Sequence, residues 1–219
     1  MILLSIKNLY LQHKIENMVA ISFQPTKKTR TTKKLYTLEE YLLREEISLT
    51  KNEYFNGKII PMAGGKYNHN QIAAQISSAL IVALKGLEKK YKVCNSDQKV
   101  YIASDNIGVY PDAIVICEKP EFWQGRKDLV TNPIVIVEVL SKSTAAYDKG
   151  GKFLLYQKLP SFKEYILIEQ DFTYVESWCQ IKENTWEKTF ENKLDAQLEI
   201  RSLGISVSLS DIYDDVEFE

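Results

Sequence analysis

The sequence predicts an α/β fold whose central sheet is covered on both faces. Three observations carry that expectation. From residue 68 onward the residue patterns run helix, strand, strand, strand, helix, strand. The run IVIVEVL at 134–140 is apolar almost without a break, as a strand buried on both faces must be. Ahead of the strands, Ile72, Ile76, Ala79, Leu80, Ala83, Leu84 and Leu87 recur at helical spacing and mark one apolar helix face.

Taken in order, residues 1–34 read as an N-terminal extension and 35–219 as one domain, a size that a single core can serve. The start, MILLSIKNLYLQHK, lacks the flanks of a signal peptide, and Met18 opens a second candidate start. Lys27, Lys28, Arg30, Lys33 and Lys34 read as a solvated basic arm, with phosphate contact as the sharper alternative. Thr37 and Glu40 form a capping box for a short helix over 37–47. Asn56-Gly57 between EYF and KII is the signal of a two-residue hairpin turn. A long helix is expected over 68–90, with Asn68 or Asn70 as its cap. Strands follow at 92–103, 109–117 and 133–140, then a helix over 144–159 stopped by Pro160, then a strand at 163–169. Further antiparallel strands are expected at 173–181, 185–191 and 196–200, with a last strand and turn in LGISVSLSDIY.

Composition narrows the function. The chain is 45% hydrophobic and 26% charged, with a net charge of −1, so no global basic field marks it for nucleic acid. Cys94, Cys117 and Cys179 are widely spaced and odd in number, as expected of reduced thiols in the cytoplasm. Only His13 and His69 are present, so a metal would need oxygen ligands, which points to magnesium or manganese. No apolar run reaches the roughly 18 residues of a membrane-spanning helix.

The candidate chemistry lies between Pro111 and Lys152. Glu138 shares a strand face with Ile134, Ile136 and Leu140, where a carboxylate costs several kcal/mol unless paired or bound to a cation. Asp112 heads the preceding apolar run. Lys152 shares a helical stripe with Ala145, Asp148, Tyr156 and Leu159, which directs it at the sheet and toward Glu138. A structural pair of Lys152 with Glu138 or Asp148 is the plain alternative, and Gly150-Gly151 marks a kink or a close approach. Two carboxylates can hold a hydrated divalent cation, and a nearby lysine can orient a nucleophile, which suits phosphodiester hydrolysis.

The stretches YTLEEYL, EYFNGKIIPMAGG, NHNQIA, SDQKVYI, PDAIVIC, TNPIVIVEVLSKST, AYDKGGKF and SLGISVSLSDIY resemble the Uma-two family of restriction-endonuclease-like proteins, over about Leu35 to Phe218. That family belongs to the PD-(D/E)XK nuclease superfamily. The resemblance implies a mixed central sheet flanked by helices, and a metal-dependent endonuclease acting on nucleic acid, with DNA the expected substrate. It implies Asp112 as the first acid, Glu138 as the second, and Mg2+ or Mn2+ held by both with the Val139 carbonyl. The superfamily lysine is expected two residues after Glu138, where this chain has Leu140, so the role passes to Lys152, with Lys142 in reserve. Glu53, Asp97 and His69 match other recurring family positions and are accessory candidates, and Asp148 is expected to hold Lys152. A homodimer is expected, because two symmetric sites suit the two strands of a duplex. The alternative is a non-catalytic nucleic-acid-binding or protein-interaction module that keeps the fold.

Overall fold

The computed structural model describes residues 34–218. The extension expected at 1–34, with all of its basic arm but Lys34, lies outside the described residues. Thr37 caps α1 (Leu38–Glu45) as its sequence requires. The Thr37 hydroxyl accepts the Glu40 amide at 3.1 Å, and the Glu40 carboxylate accepts the Thr37 amide at 2.9 Å. Strands β1 (Asn52–Phe55) and β2 (Lys58–Pro61) turn on Asn56 and Gly57, at φ 43 and 92, the two positive values that a type I′ turn needs.

Helix α2 (Tyr67–Leu84) corrects two expectations. Its N-cap is Lys66, with no side-chain cap bond. The Asn68 amide is spent on the Glu217 carbonyl at 2.7 Å, and the Asn70 amide on the Gly65 carbonyl at 3.1 Å. The helix stops short of residue 90 because Lys85 is extended, at φ −69 and ψ 128, and Gly86 follows at φ +90, the pair of conformations that a type II turn requires.

The strands expected at 92–103 and 109–117 are each cut in two and divided between two sheets. Strand β3 (Tyr91–Asn95) leaves for β4 (Lys99–Ile102) through a turn in which the Asn95 side chain accepts the Asp97 amide at 3.1 Å. Strand β5 (Ile107–Val109) leaves for β6 (Ala113–Cys117) through Pro111, which has no N–H for a ladder. After β7 (Leu129–Val130) and β8 (Pro133–Leu140), a helical segment runs as α3 (Ala145–Tyr147), a π turn (Asp148–Lys152) and α4 (Phe153–Tyr156). The chain then forms β9 (Glu164–Glu169), β10 (Val175–Lys182), β11 (Thr185–Glu191), β12 (Gln197–Ile200), β13 (Ile205–Ser208) and α5 (Leu209–Ile212).

The six-stranded sheet has the order β11-β10-β9-β8-β6-β3, and it is mixed, because β8 and β9 run parallel while its other neighbours are antiparallel. A five-stranded sheet has the order β2-β1-β5-β4-β7, and β12 and β13 form a separate pair. Side-chain alternation along β8 sorts the core. Val135, Val137 and Val139 join Ile72, Ile76 and Leu80 of α2, whereas Ile136 and Leu140 join Tyr156, Phe162 and Tyr165 on the opposite face. Val100, Ile102 and Val109 belong to that second core, which brings the five-stranded sheet to the side of β8 that carries Glu138. Among the described residues no helix is long and apolar enough to cross a membrane.

Ile136 is fully buried in this second core. Ile136→Ala should lower unfolding free energy by roughly 2–5 kcal/mol in urea titration. A loss below about 1 kcal/mol would mean that this layer is not packed as described.

Candidate active site

Asp112 stands one residue before β6. The β6–β8 ladder ends at the Ala113–Val137 pair, and beyond it the Asp112 side chain replaces the missing strand: its Oδ2 accepts the Val139 amide at 2.7 Å. Amide and carbonyl of one strand residue face the same edge, so the Val139 carbonyl also lies on the Asp112 side. The other carboxylate oxygen, Oδ1, meets His69 Nε2 at 3.0 Å from the first turn of α2.

Glu138 lies at the centre of β8, and its Oε1 accepts the Lys152 ammonium at 2.9 Å and the Tyr156 hydroxyl at 2.8 Å. No described residue donates to its Oε2. Asp148, Lys152 and Tyr156 form the buried stripe of the helical segment, as the four-residue spacing requires. The Gly150-Gly151 pair falls inside the π turn, a widened turn of the sort that often marks functional sites. Lys152 Nζ is also 3.2 Å from Asp148 and 3.9 Å from Glu53, which β1 brings from the second sheet.

This charge cluster is strongly polarised. Burial pushes the Glu138 carboxyl up to about 8, against the pull of Lys152, and burial likewise raises Glu53. Burial opposes the Lys152 charge, but Glu138, Asp148 and Glu53 outweigh it, so the ammonium stays protonated. For His69, burial lowers the pKa, but the bond to Asp112 and its charge prevail and raise it.

Glu53, His69, Asp112, Glu138, Val139, Asp148 and Lys152 all line one cleft of about 620 Å³, together with the Met62–Lys66 loop. Two accessory expectations need correction. Asp97 sits exposed in the β3–β4 turn, ion-paired to Lys51 at 2.6 Å, and does not line the cleft, because the turn that splits the strand carries it away. Lys142 does line the cleft, but it is 86% exposed and pairs with Asp171 at 3.8 Å, whereas Lys152 is the lysine that meets Glu138. Two residues had no role in the sequence reading. Tyr156 was signalled by its four-residue spacing from Lys152. Gln170, just past β9 and buried against the cleft, carries no pattern that could have marked it.

The donor set suits a hard cation. Among the described residues no three His, Cys, Asp or Glu side chains stand close enough to hold a metal ion by themselves. Two acids and a carbonyl with water completing the shell is nevertheless an ordinary magnesium arrangement. Two features favour a cation. Deep in the cleft Glu53, Glu138 and Asp148 surround the single ammonium of Lys152, while Lys66 and Lys142 lie elsewhere on its lining, so the inner end carries more acid than base. In addition, Glu53 Oε1 and Gln170 Oε1 are buried acceptors without a hydrogen-bond donor.

Residues 38–210 match the family profile Uma2, described as "Putative restriction endonuclease". The chain belongs to the Uma2 family. Two Synechocystis sp. relatives, both described only as uncharacterized, support the assignment. Protein sll1609 is 39% identical over 71% of this chain and 86% of its own, and slr1290 is 33% identical over 82% and 92%. A crystal structure from Anabaena variabilis, described as "a putative nuclease belonging to DUF820", superimposes with a TM-score of 0.63 at 18% identity. It covers 81% of this Uma2 chain and 97% of its own, and shows that the two share a fold, a mixed α/β architecture with helices flanking the sheet.

Removing the Lys152 charge from this Uma2 site should leave three buried carboxylates facing one another. Lys152→Met is expected to cost about 3–5 kcal/mol, and adding Glu138→Gln should recover part of it. Thermal melts of both variants check this. A double variant no more stable than the single one would show that the pair is not coupled.

Proposed function

We propose that the chain is a metal-dependent endonuclease that hydrolyses phosphodiester bonds of nucleic acid, with DNA as substrate. The observation that carries this reading is the convergence of two buried acceptors without a hydrogen-bond donor, Glu53 Oε1 and Gln170 Oε1, on the cleft that also holds Asp112, Glu138, Asp148 and Lys152. Buried acceptors without donors cost about 1–3 kcal/mol each, so a cleft that keeps two of them suits an occupant that supplies positive charge or donors.

Asp112, Glu138 and the Val139 carbonyl would hold magnesium or manganese. When bound, such a cation lowers the pKa of a coordinated water and stabilises charge on a phosphate oxygen. The remaining work falls to the protein. Tyr156 and Lys152 fix Glu138 Oε1 and leave Oε2 open. His69 and the Val139 amide hold the two Asp112 oxygens in place. Lys152 remains charged and can donate to the attacking water or to a phosphoryl oxygen, which orients the displacement and offsets the developing charge.

A second reading, a module that binds nucleic acid without cutting it, draws on the lack of three close ligating side chains among the described residues. Incubation with plasmid and with oligonucleotides separates the two readings. Wild type is expected to cleave with magnesium or manganese and to stop with chelator. Asp112→Ala and Lys152→Ala should each lose roughly 100-fold or more. Binding without cleavage under all of these conditions would favour the second reading, and variants as active as wild type would refute the catalytic assignment.

A further inference from the structure

The acidic cleft is one of two cavities that meet at a common wall. The second, about 650 Å³, shares with it Asp112, His69, Tyr110 and the Met62–Gly65 stretch of the loop between β2 and α2. The loop lies close on this wall: a Cβ at Gly65 would fall 2.5 Å from both His69 Cδ2 and Asn70 Oδ1. The two cavities therefore adjoin at Asp112, within the span of a single bound strand.

The chemistry of the two chambers differs. On its α2 side the second chamber presents the small side chains Ala73, Ala74 and Ser77, and opposite them stand Thr50, Lys51 and Asn95. Among the described residues Asp112 is its only carboxylate and Lys51 its only lysine, held by Asp97 and the Ser96 carbonyl with the Tyr110 ring 5.6 Å away. The other way out of the acidic cleft, past Lys66 and Lys142, is lined by Asp171, Asp215 and Glu217, so its carboxylates outnumber its lysines. Of the two routes, the second chamber presents fewer carboxylates on its lining to a polyanionic strand, one against three. Its volume is that of a small-molecule site, and its lining mixes the small apolar Ala63, Ala73 and Ala74 with neutral polar Thr50, Asn70, Ser77 and Asn95, which suits a base and its sugar. A base within a duplex cannot enter such a recess without leaving its stack.

We propose that this chamber is a nucleoside subsite that takes one unpaired base of the strand whose phosphodiester lies against Glu138. The inference rests on the nuclease reading and sharpens its substrate to DNA that is single-stranded or locally unpaired at the site. Ala74 and Thr50 are exposed on opposite rims, so leucine at either narrows the chamber without entering the core.

Two measurements test it: anisotropy of a labelled oligonucleotide in calcium, single-stranded or annealed to its complement, and hydrolysis of bis(p-nitrophenyl) phosphate, a diester without a nucleoside. The single strand should bind at least roughly tenfold more tightly than the duplex, the scale of one base-stacking contact. Ala74→Leu and Thr50→Leu should each lower the ratio of kcat/KM for the single strand over kcat/KM for the diester by a similar factor. Equal affinity for duplex and single strand, or both variants keeping the wild-type ratio, overturns the subsite, while hydrolysis of the diester leaves the nuclease reading in place. A protein that neither binds the oligonucleotide nor hydrolyses the diester overturns both.

Discussion

The buried ammonium of Lys152 sets the terms for everything around it. Taking that charge out of water costs several kcal/mol, and the cost is offset only by close partners with good geometry. Glu138 at 2.9 Å and Asp148 at 3.2 Å supply them, with Glu53 at 3.9 Å completing the surround. Meeting that demand seats the helical segment against β8 and places Tyr156 on the same carboxylate oxygen as the lysine. It also leaves the cluster overfilled with acid. A cation is the natural complement of a site whose carboxylates exceed its ammonium and whose acceptors lack donors.

The second sheet is what turns a sheet face into a cleft. In the six-stranded sheet alone, Asp112, Glu138 and Lys152 would face open solvent on one side. Dividing two extended stretches between sheets, through the turn after Asn95 and through Pro111, folds β4 and β5 back over that side and brings β1 with Glu53 beside them. The loop after β2 then covers the wall between the two chambers. Its approach to His69 is close enough to exclude a side chain at Gly65, so the position of His69, and through it Asp112, depends on this loop.

Local sequence determined a great deal. The Thr37–Glu40 box, the Asn56-Gly57 turn, the limits of β8 and the face that carries Glu138 follow from short-range rules, because each depends on bonds or alternation within a few residues. Lys152 on the Glu138 side was legible for the same reason, since helical spacing placed it on a stripe with Tyr156 and Leu159. Where local reading failed, a distant partner had prevailed. Asn68 is a good cap by type, but the helix begins before it and its amide goes to Glu217, 149 residues along the chain. The 92–103 stretch has strand character throughout, yet which sheet each half joins is settled by pairing partners far along the chain.

The sequence by itself determined the acids, the lysine and the strand and helix that carry them, because alternation and helical spacing are properties of the local backbone. Only the tertiary structure decided that Glu53 belongs with them and Asp97 does not, that Gln170 reaches the cleft, and that a second chamber opens beyond Asp112. Each of those depends on how two sheets and a loop meet in space. No local periodicity encodes such a meeting, because its energy comes from contacts between segments widely separated along the chain.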